Sequence, residues 1–202
     1  MNTIHRLLSA LMSVAILAGC AAALVPETSD PWKKYSQAME LFAVQRPIPA
    51  ERLLRESIDG LTQTDQYGRL ALVQLEYSRF IGSPTFQQSP VFTQRLSELG
   101  GPNGIAKTIQ GLNAQAETNL RKALSTSPTV DSPPERTQVL LLLIEAQARQ
   151  GKNREACESV SQAIESYEHA RGIKYQYKTH PPHGTVSEHL AQRKVLLGCH
   201  AT

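Results

Sequence analysis

Aromatic side chains are scarce in this chain. Only 5% of its 202 residues are Phe, Tyr or Trp, and Trp32 is the one tryptophan. A sheet sandwich draws on β-branched and aromatic residues. Their shortage, beside plentiful Leu, Ala, Gln, Glu and Arg, points to helices instead. Charge of one sign is lacking too. Lys and Arg total 21 against 18 Asp and Glu, interspersed rather than blocked, so the net +3 forms no stripe suited to nucleic acid. The chain has no nucleophile elbow, P-loop or HExxH. No catalytic residue stands out, no cofactor or metal is implied, and the chain reads as something other than an enzyme. Cysteine is sparse, at Cys20, Cys157 and Cys199.

What is present begins with an address. A short segment ending in Arg6 precedes an uncharged run from Leu7 to Leu17, which reads as a secretory signal. The run is shorter than the roughly 20 apolar residues a membrane helix needs. Extending it through Val25 brings it close to that length, so an uncleaved membrane helix stays open as an alternative. The run ends in Leu17-Ala18-Gly19-Cys20, which resembles the lipobox of bacterial lipoproteins at all four positions. That resemblance implies cleavage before Cys20 and lipid on its thiol and new amine. At about 0.8 kcal/mol per buried CH₂, two or three acyl chains hold a protein on a membrane essentially permanently. Ala21 stands where inner-membrane retention signals usually carry Asp, so the resemblance implies an outer-membrane lipoprotein facing the periplasm. The expected organisation is a signal peptide over 1–19, a lipidated tether over 20–29 and a helical domain over 30–202.

Roughly 180 residues follow Cys20, enough for one domain with a real core. Ser29-Asp30-Pro31 supplies a cap and a first-position proline, and Trp32, Tyr35, Met39 and Phe42 follow at helical spacing. After Pro47 and Pro49 a second helix places Ala50, Leu54, Ser57 and Leu61 on one face. Asp65 is expected to cap a third, carrying Leu72, Leu75 and Phe80. Gly82 to Pro90 reads as a loop, and Phe92, Leu96 and Leu99 mark a short helix before Gly100-Gly101-Pro102. Ile105, Ile109, Leu112, Ala116, Leu120 and Ala123 alternate by four and three, an amphipathic pattern. Ser132-Pro133-Pro134-Glu135 reads as a capping box, opening a helix without a polar residue from Val139 to Ile144. Asn153 is expected to cap the next, with a stripe of Ala156, Val160, Ala163, Tyr167 and Ala170. Thr185 and Glu188 form a second capping box, before Val186, Leu190 and Leu197. The count is seven or eight helices.

Residues 137–170 resemble a tetratricopeptide repeat. Gln150-Gly151 sits at the family's turn, Glu155-Ala156, Val160, Ala163 and Ile164 match its second helix, and Leu140 and Leu143 match its first. Ile144 departs from the family, which prefers a small residue there. Ala116, Leu120, Ala123, Leu124 and Pro128 match the second half of a preceding repeat, and Ala50, Leu54 and Ser57 give a weaker echo. The resemblance implies an all-α fold in which helical hairpins stack as a short solenoid with a concave, protein-binding surface. An irregular helical bundle is the alternative, since such spacing also arises there.

With Cys20 lipidated, Cys157 and Cys199 remain as an even pair in an oxidising compartment. Cys157 falls in the first turn of one expected helix and Cys199 at the end of the last. Antiparallel packing of the two would bring the cysteines to one end, within disulfide reach; two buried thiols are the alternative. His180, His183 and His189 are the one cluster resembling a metal site, but no helix fixes the first two and no zinc-like spacing supports them, so a solvated loop is preferred. Glu51, Glu56 and Glu76 read as helix surface charges. Tyr35, Tyr67, Tyr77, Tyr175 and Tyr177 are candidate binding aromatics, with a packed loop preferred for Tyr175 and Tyr177.

The expected function is that of an outer-membrane-tethered, periplasmic adaptor or assembly factor, binding another envelope protein or peptide and no nucleic acid. The alternatives are an enzyme acting on envelope polymers through an unrecognised site, and a purely structural or exclusion lipoprotein.

Overall fold

The computed structural model describes residues 28–126, 129, 131–170 and 185–199. Among these are nine helices and no strand: α1 (Pro31–Ala43), α2 (Pro47–Thr62), α3 (Tyr67–Ile81), α4 (Pro84–Gln87), α5 (Pro90–Glu98), α6 (Pro102–Leu124), α7 (Pro133–Arg149), α8 (Asn153–His169) and α9 (Val186–Leu196). The all-α expectation holds. Six of the nine open on proline. A first-position proline lacks only an N–H that would have no intrahelical partner, and its fixed φ already suits a helix. None of the described helices is long and apolar enough to cross a membrane.

The helices pack largely in pairs. α1 lies against α2, α3 against α6, and α7 against α8, with α9 on α8. α2 meets α3 and α6 meets α7, joining consecutive pairs, while α4 and α5 are inserted between the members of the second pair. Paired helices of this kind fit both a short solenoid and an irregular bundle.

Small residues let the partners approach. Ala50 and Ser57 on α2, Ala116 and Ala123 on α6, and Ala156 and Ala163 on α8 are all buried. The end of α2 touches the start of α1: the Ser57 hydroxyl donates to the Pro31 carbonyl at 2.8 Å. A Cβ at Gly60 would stand 2.5 Å from Pro31 Cγ. The third pair repeats the device, with Ser166 Oγ donating to the Pro133 carbonyl at 3.0 Å.

Two apolar clusters result. One gathers Leu41, Leu53, Leu54, Leu61, Phe80 and Phe86, and the other Leu75, Leu120, Leu140, Ile144, Val160 and Leu190. α3 serves both, giving Leu70, Val73 and Phe80 to the first and Ala71 and Leu75 to the second.

The turn from α7 to α8 follows a Schellman pattern. Gly151 has φ +71°, its N–H donates to the Ala148 carbonyl, and the Lys152 N–H donates to that of Gln147, both at 3.0 Å. The turn from α1 to α2 has the same bonds but places Gln45 at φ +58°. That conformation costs an L-residue roughly 1–2 kcal/mol, and without a glycine nothing in the sequence marks this turn.

Several local expectations are corrected. Gly82 to Pro90 is not a bare loop: α4 lies within it, capped by Ser83, and buries Phe86. Asp65 does not cap α3. Its carboxylate accepts from the Tyr67 hydroxyl at 2.8 Å, and Gln66 precedes the helix without a side-chain cap. Ser132 makes no side-chain cap bond; Pro134 has removed one of the two N–H groups within a cap's reach. Asn153 is the first residue of α8 rather than its cap, since the Schellman turn places Lys152 there. The box of Thr185 and Glu188 is present in both halves.

Candidate functional site

α1 carries apolar side chains on two faces. Ala38 and Leu41 are buried, whereas Trp32, Tyr35, Met39 and Phe42, spaced three and four apart, line a groove of about 800 Å³. The opposite wall is α3, through Leu72, Glu76 and Arg79, and Ser83 and Thr85 close one end. Thus the first helices of two successive pairs face each other across an apolar, partly aromatic channel.

The floor is ordered by ring contacts. Trp32 and Tyr35 have centroids 4.9 Å apart, and the Arg69 guanidinium lies 4.8 Å from the Trp32 centroid, within cation–π range. Phe42 meets Phe80 edge-on at 5.0 Å, tying the groove to the core beneath. Glu76 and Arg79 form an ion pair one turn apart, with Glu76 the more buried partner. Burial, reinforced by the Glu76 carboxylate, pushes the Tyr35 phenol far above its ordinary range. The groove therefore offers aromatic and apolar contact from α1 and Leu72, with Ser36, Gln45, Ser83 and Thr85 and one acid–base pair as polar groups in its lining.

Glu51, read as a surface charge, is 4% exposed. Its carboxylate accepts from the Tyr77 hydroxyl at 2.7 Å and from Arg95 Nε at 3.0 Å, clasping α2, α3 and α5 together. Of the other two carboxylates read so, Glu56 pairs with Lys34 across α1 and α2 at 2.7 Å, and Glu76 lines the groove. Tyr77 is thus a structural strut rather than a binding aromatic, and burial followed by Glu51 pushes its phenol up. Tyr67 bonds locally to Asp65.

A second buried carboxylate was not singled out by sequence. Glu117 on α6 accepts from Lys152 Nζ at 2.6 Å, Gln150 Nε2 at 3.0 Å and Arg121 Nη2 at 2.9 Å, joining the second pair to the α7–α8 turn. Burial acts to raise its carboxyl, but the bonds from Lys152, Arg121 and Gln150 outweigh it and hold the group below the ordinary glutamate value. A carboxyl depressed in the folded state adds stability above its unfolded pKa, lost as pH falls through the folded value. The unfolded value is about 4.3, so the window opens there and runs downward. Glu117→Gln is expected to flatten the acid limb of a stability-against-pH curve measured by urea unfolding. An unchanged limb would show that Glu117 does not sense acid.

Arg149, at the end of α7, donates to the Leu75 carbonyl and to Ser78 Oγ on α3, both at 2.9 Å. Ser78 in turn donates to Asn113 Oδ1 on α6 at 2.9 Å, so the second and third pairs share a polar seam.

Cys157 and Cys199 stand at disulfide distance, with Sγ atoms 2.00 Å and Cα atoms 5.5 Å apart. Cys20, His180, His183, Tyr175 and Tyr177 lie outside the described residues. His189 lies on α9, where burial and then Arg193 lower its pKa while Glu145 acts to raise it. The groove itself was half legible: the stripe on α1 could be read, but not that α3 would stand opposite it.

No family model, curated protein or solved structure matches the chain.

Proposed function

We propose that this chain is a lipid-anchored adaptor of the bacterial envelope, and that the groove between α1 and α3 receives an apolar segment of a partner protein. The observation that carries the reading is the groove itself. Trp32, Tyr35, Met39 and Phe42 line one channel and are each only partly covered, and interface hot spots concentrate in such aromatic anchors. A tetratricopeptide-like solenoid agrees with the helix pairing and with the small residues on α2, α6 and α8. In such a fold the first helix of each pair lines the concave side, as α1 and α3 line the groove. The lipobox ending in Cys20 supports the anchor, the export and, with Ala21, the outer membrane.

Two measurements test the reading. Intact-mass analysis of protein extracted from membranes is expected to show a chain beginning at Cys20 with acyl mass added, and Cys20→Ala to leave unprocessed precursor. A free Cys20 thiol, or a retained signal, would remove the anchor.

Photo-crosslinking from position 39 in cells is expected to trap a discrete protein band. Trp32→Ala should weaken that capture by about 2 kcal/mol, near thirtyfold, as for an anchor residue, with the helical circular dichroism retained. A crosslinker at Met39 that traps nothing, or trapping indifferent to Trp32→Ala, would end the adaptor reading.

A further inference from the structure

Among the described residues, α9 is fastened to the domain by one covalent bond and few other contacts. Of its 11 residues only Leu190 is buried, with Val186 and the following Leu197 partly covered. Val195 and Leu196 project outward at 80% and 68% exposure. The helix packs on α8, and its ion pair to α7, Arg193 with Glu145, joins two side chains each more than a quarter exposed. Bridges of that kind contribute little, and a helix this short is marginal by itself in water. Cys157 in the opening turns of α8 and Cys199, just past the Gly198 turn that ends α9, supply the remaining fastening. Both cysteines are half-buried, so a small reductant can reach them.

The elements beneath hold themselves together without α9. Leu140, Leu143 and Ile144 of α7 and Val160 and Ala163 of α8 are buried together, and Leu190 is the one fully buried member of that cluster from α9. The Ser166–Pro133 bond, the Glu117 cluster and the Arg149 seam join α7 and α8 to each other and to α3 and α6.

We propose that α9 is a redox-released cap: reduction of the Cys157–Cys199 bond frees α9 alone and uncovers the apolar face of α8 while α1 to α8 stay folded. The reductant is a dithiol. One of its thiolates attacks a protein sulfur, breaking the Cys157–Cys199 bond and forming a mixed disulfide. Its second thiolate attacks the reductant's own sulfur in that bond, closing a cyclic disulfide. The reductant loses two electrons, and the two cysteine sulfurs leave as thiolates that take up two protons. The cap is independent of what the α1–α3 groove binds.

Hydrogen exchange followed by mass spectrometry on the full oxidised chain, before and after adding dithiothreitol, tests the cap. Peptide-resolved thiol labelling, which counts Cys20 apart, confirms that the bond is present and then fully reduced. Amides of 186–196 are expected to exchange on the order of a hundredfold faster after reduction, as in local unfolding. Those of 133–169 should keep their protection, and binding of a hydrophobic dye should rise. Cys199→Ser should show the same pattern without reductant. Unchanged protection of α9 after complete reduction would overturn the proposal, because packing alone would then hold the helix. Loss of protection throughout α1 to α8 would overturn it equally, as would two free thiols at Cys157 and Cys199 in non-reduced, denatured protein.

Discussion

Replacing Phe86 with alanine is expected to destabilise the domain by about 3–5 kcal/mol, the range for emptying a buried aromatic site. Phe86 is 1% exposed, and its ring lies 4.8 Å from that of Phe80 and 5.8 Å, edge-on, from that of Phe92. It is the central link of an aromatic chain running from Phe42 on α1 through Phe80 on α3 to Phe92 on α5. The short α4 exists to hold it there. Ser83 Oγ accepts from the Phe86 N–H at 3.3 Å, and Ser89 Oγ donates to its carbonyl at 2.6 Å. Urea unfolding monitored by circular dichroism measures the loss. A cost below about 1 kcal/mol, as for a residue in a solvated loop, would mean that the α4 insertion does not close the first apolar cluster.

Glu51→Ala is expected to cost about 3 kcal/mol or more, because breaking a buried charge pair leaves its partners without compensation. The Tyr77 hydroxyl loses its acceptor, and Arg95 loses contacts at 3.0 and 3.3 Å and keeps its pair with Glu98. Glu51→Gln retains the volume and an acceptor oxygen, so it should cost less than the alanine change. A spectroscopic signature accompanies the loss of stability. The Tyr77 phenol is held up by burial first and by Glu51 second, so in Glu51→Ala it should titrate at lower pH in ultraviolet absorbance. Equal stability of the glutamate and alanine proteins would return Glu51 to the surface role its sequence position suggested.

These two sites show where sequence reading stops. Phe86 lies between Gly82 and Pro90, in Gly-Ser-Pro-Thr-Phe-Gln-Gln-Ser-Pro, where turn residues outnumber apolar ones and no stripe of three or four can form. One buried ring in a four-residue helix has no period. Glu51 stands beside a clear apolar stripe on α2, and a carboxylate there is solvated in most helices. Its burial depends on Tyr77 and Arg95, 26 and 44 residues away in sequence. The Ala116–Leu120–Ala123 and Ala156–Val160–Ala163 spacings were legible because each lies within one helix and reports the face that helix buries. Gln45 shows the opposite case. Its left-handed turn carries no glycine to announce it.

Fold class, several helix starts and the apolar stripes were legible in the sequence, and the pairing of Cys157 with Cys199 was an expectation from an even count together with antiparallel packing. Each depends on local spacing, on proline and capping chemistry, or on the number of cysteines. Which stripe meets which was settled by tertiary packing. α3 gives residues to two cores, Glu51 is enclosed among three helices, and the aromatic face of α1 is only partly covered opposite Leu72, Glu76 and Arg79. The physical reason is that periodicity states only that a face must be buried or can be. The surface that covers it comes from elsewhere in the chain, and where none arrives a groove remains.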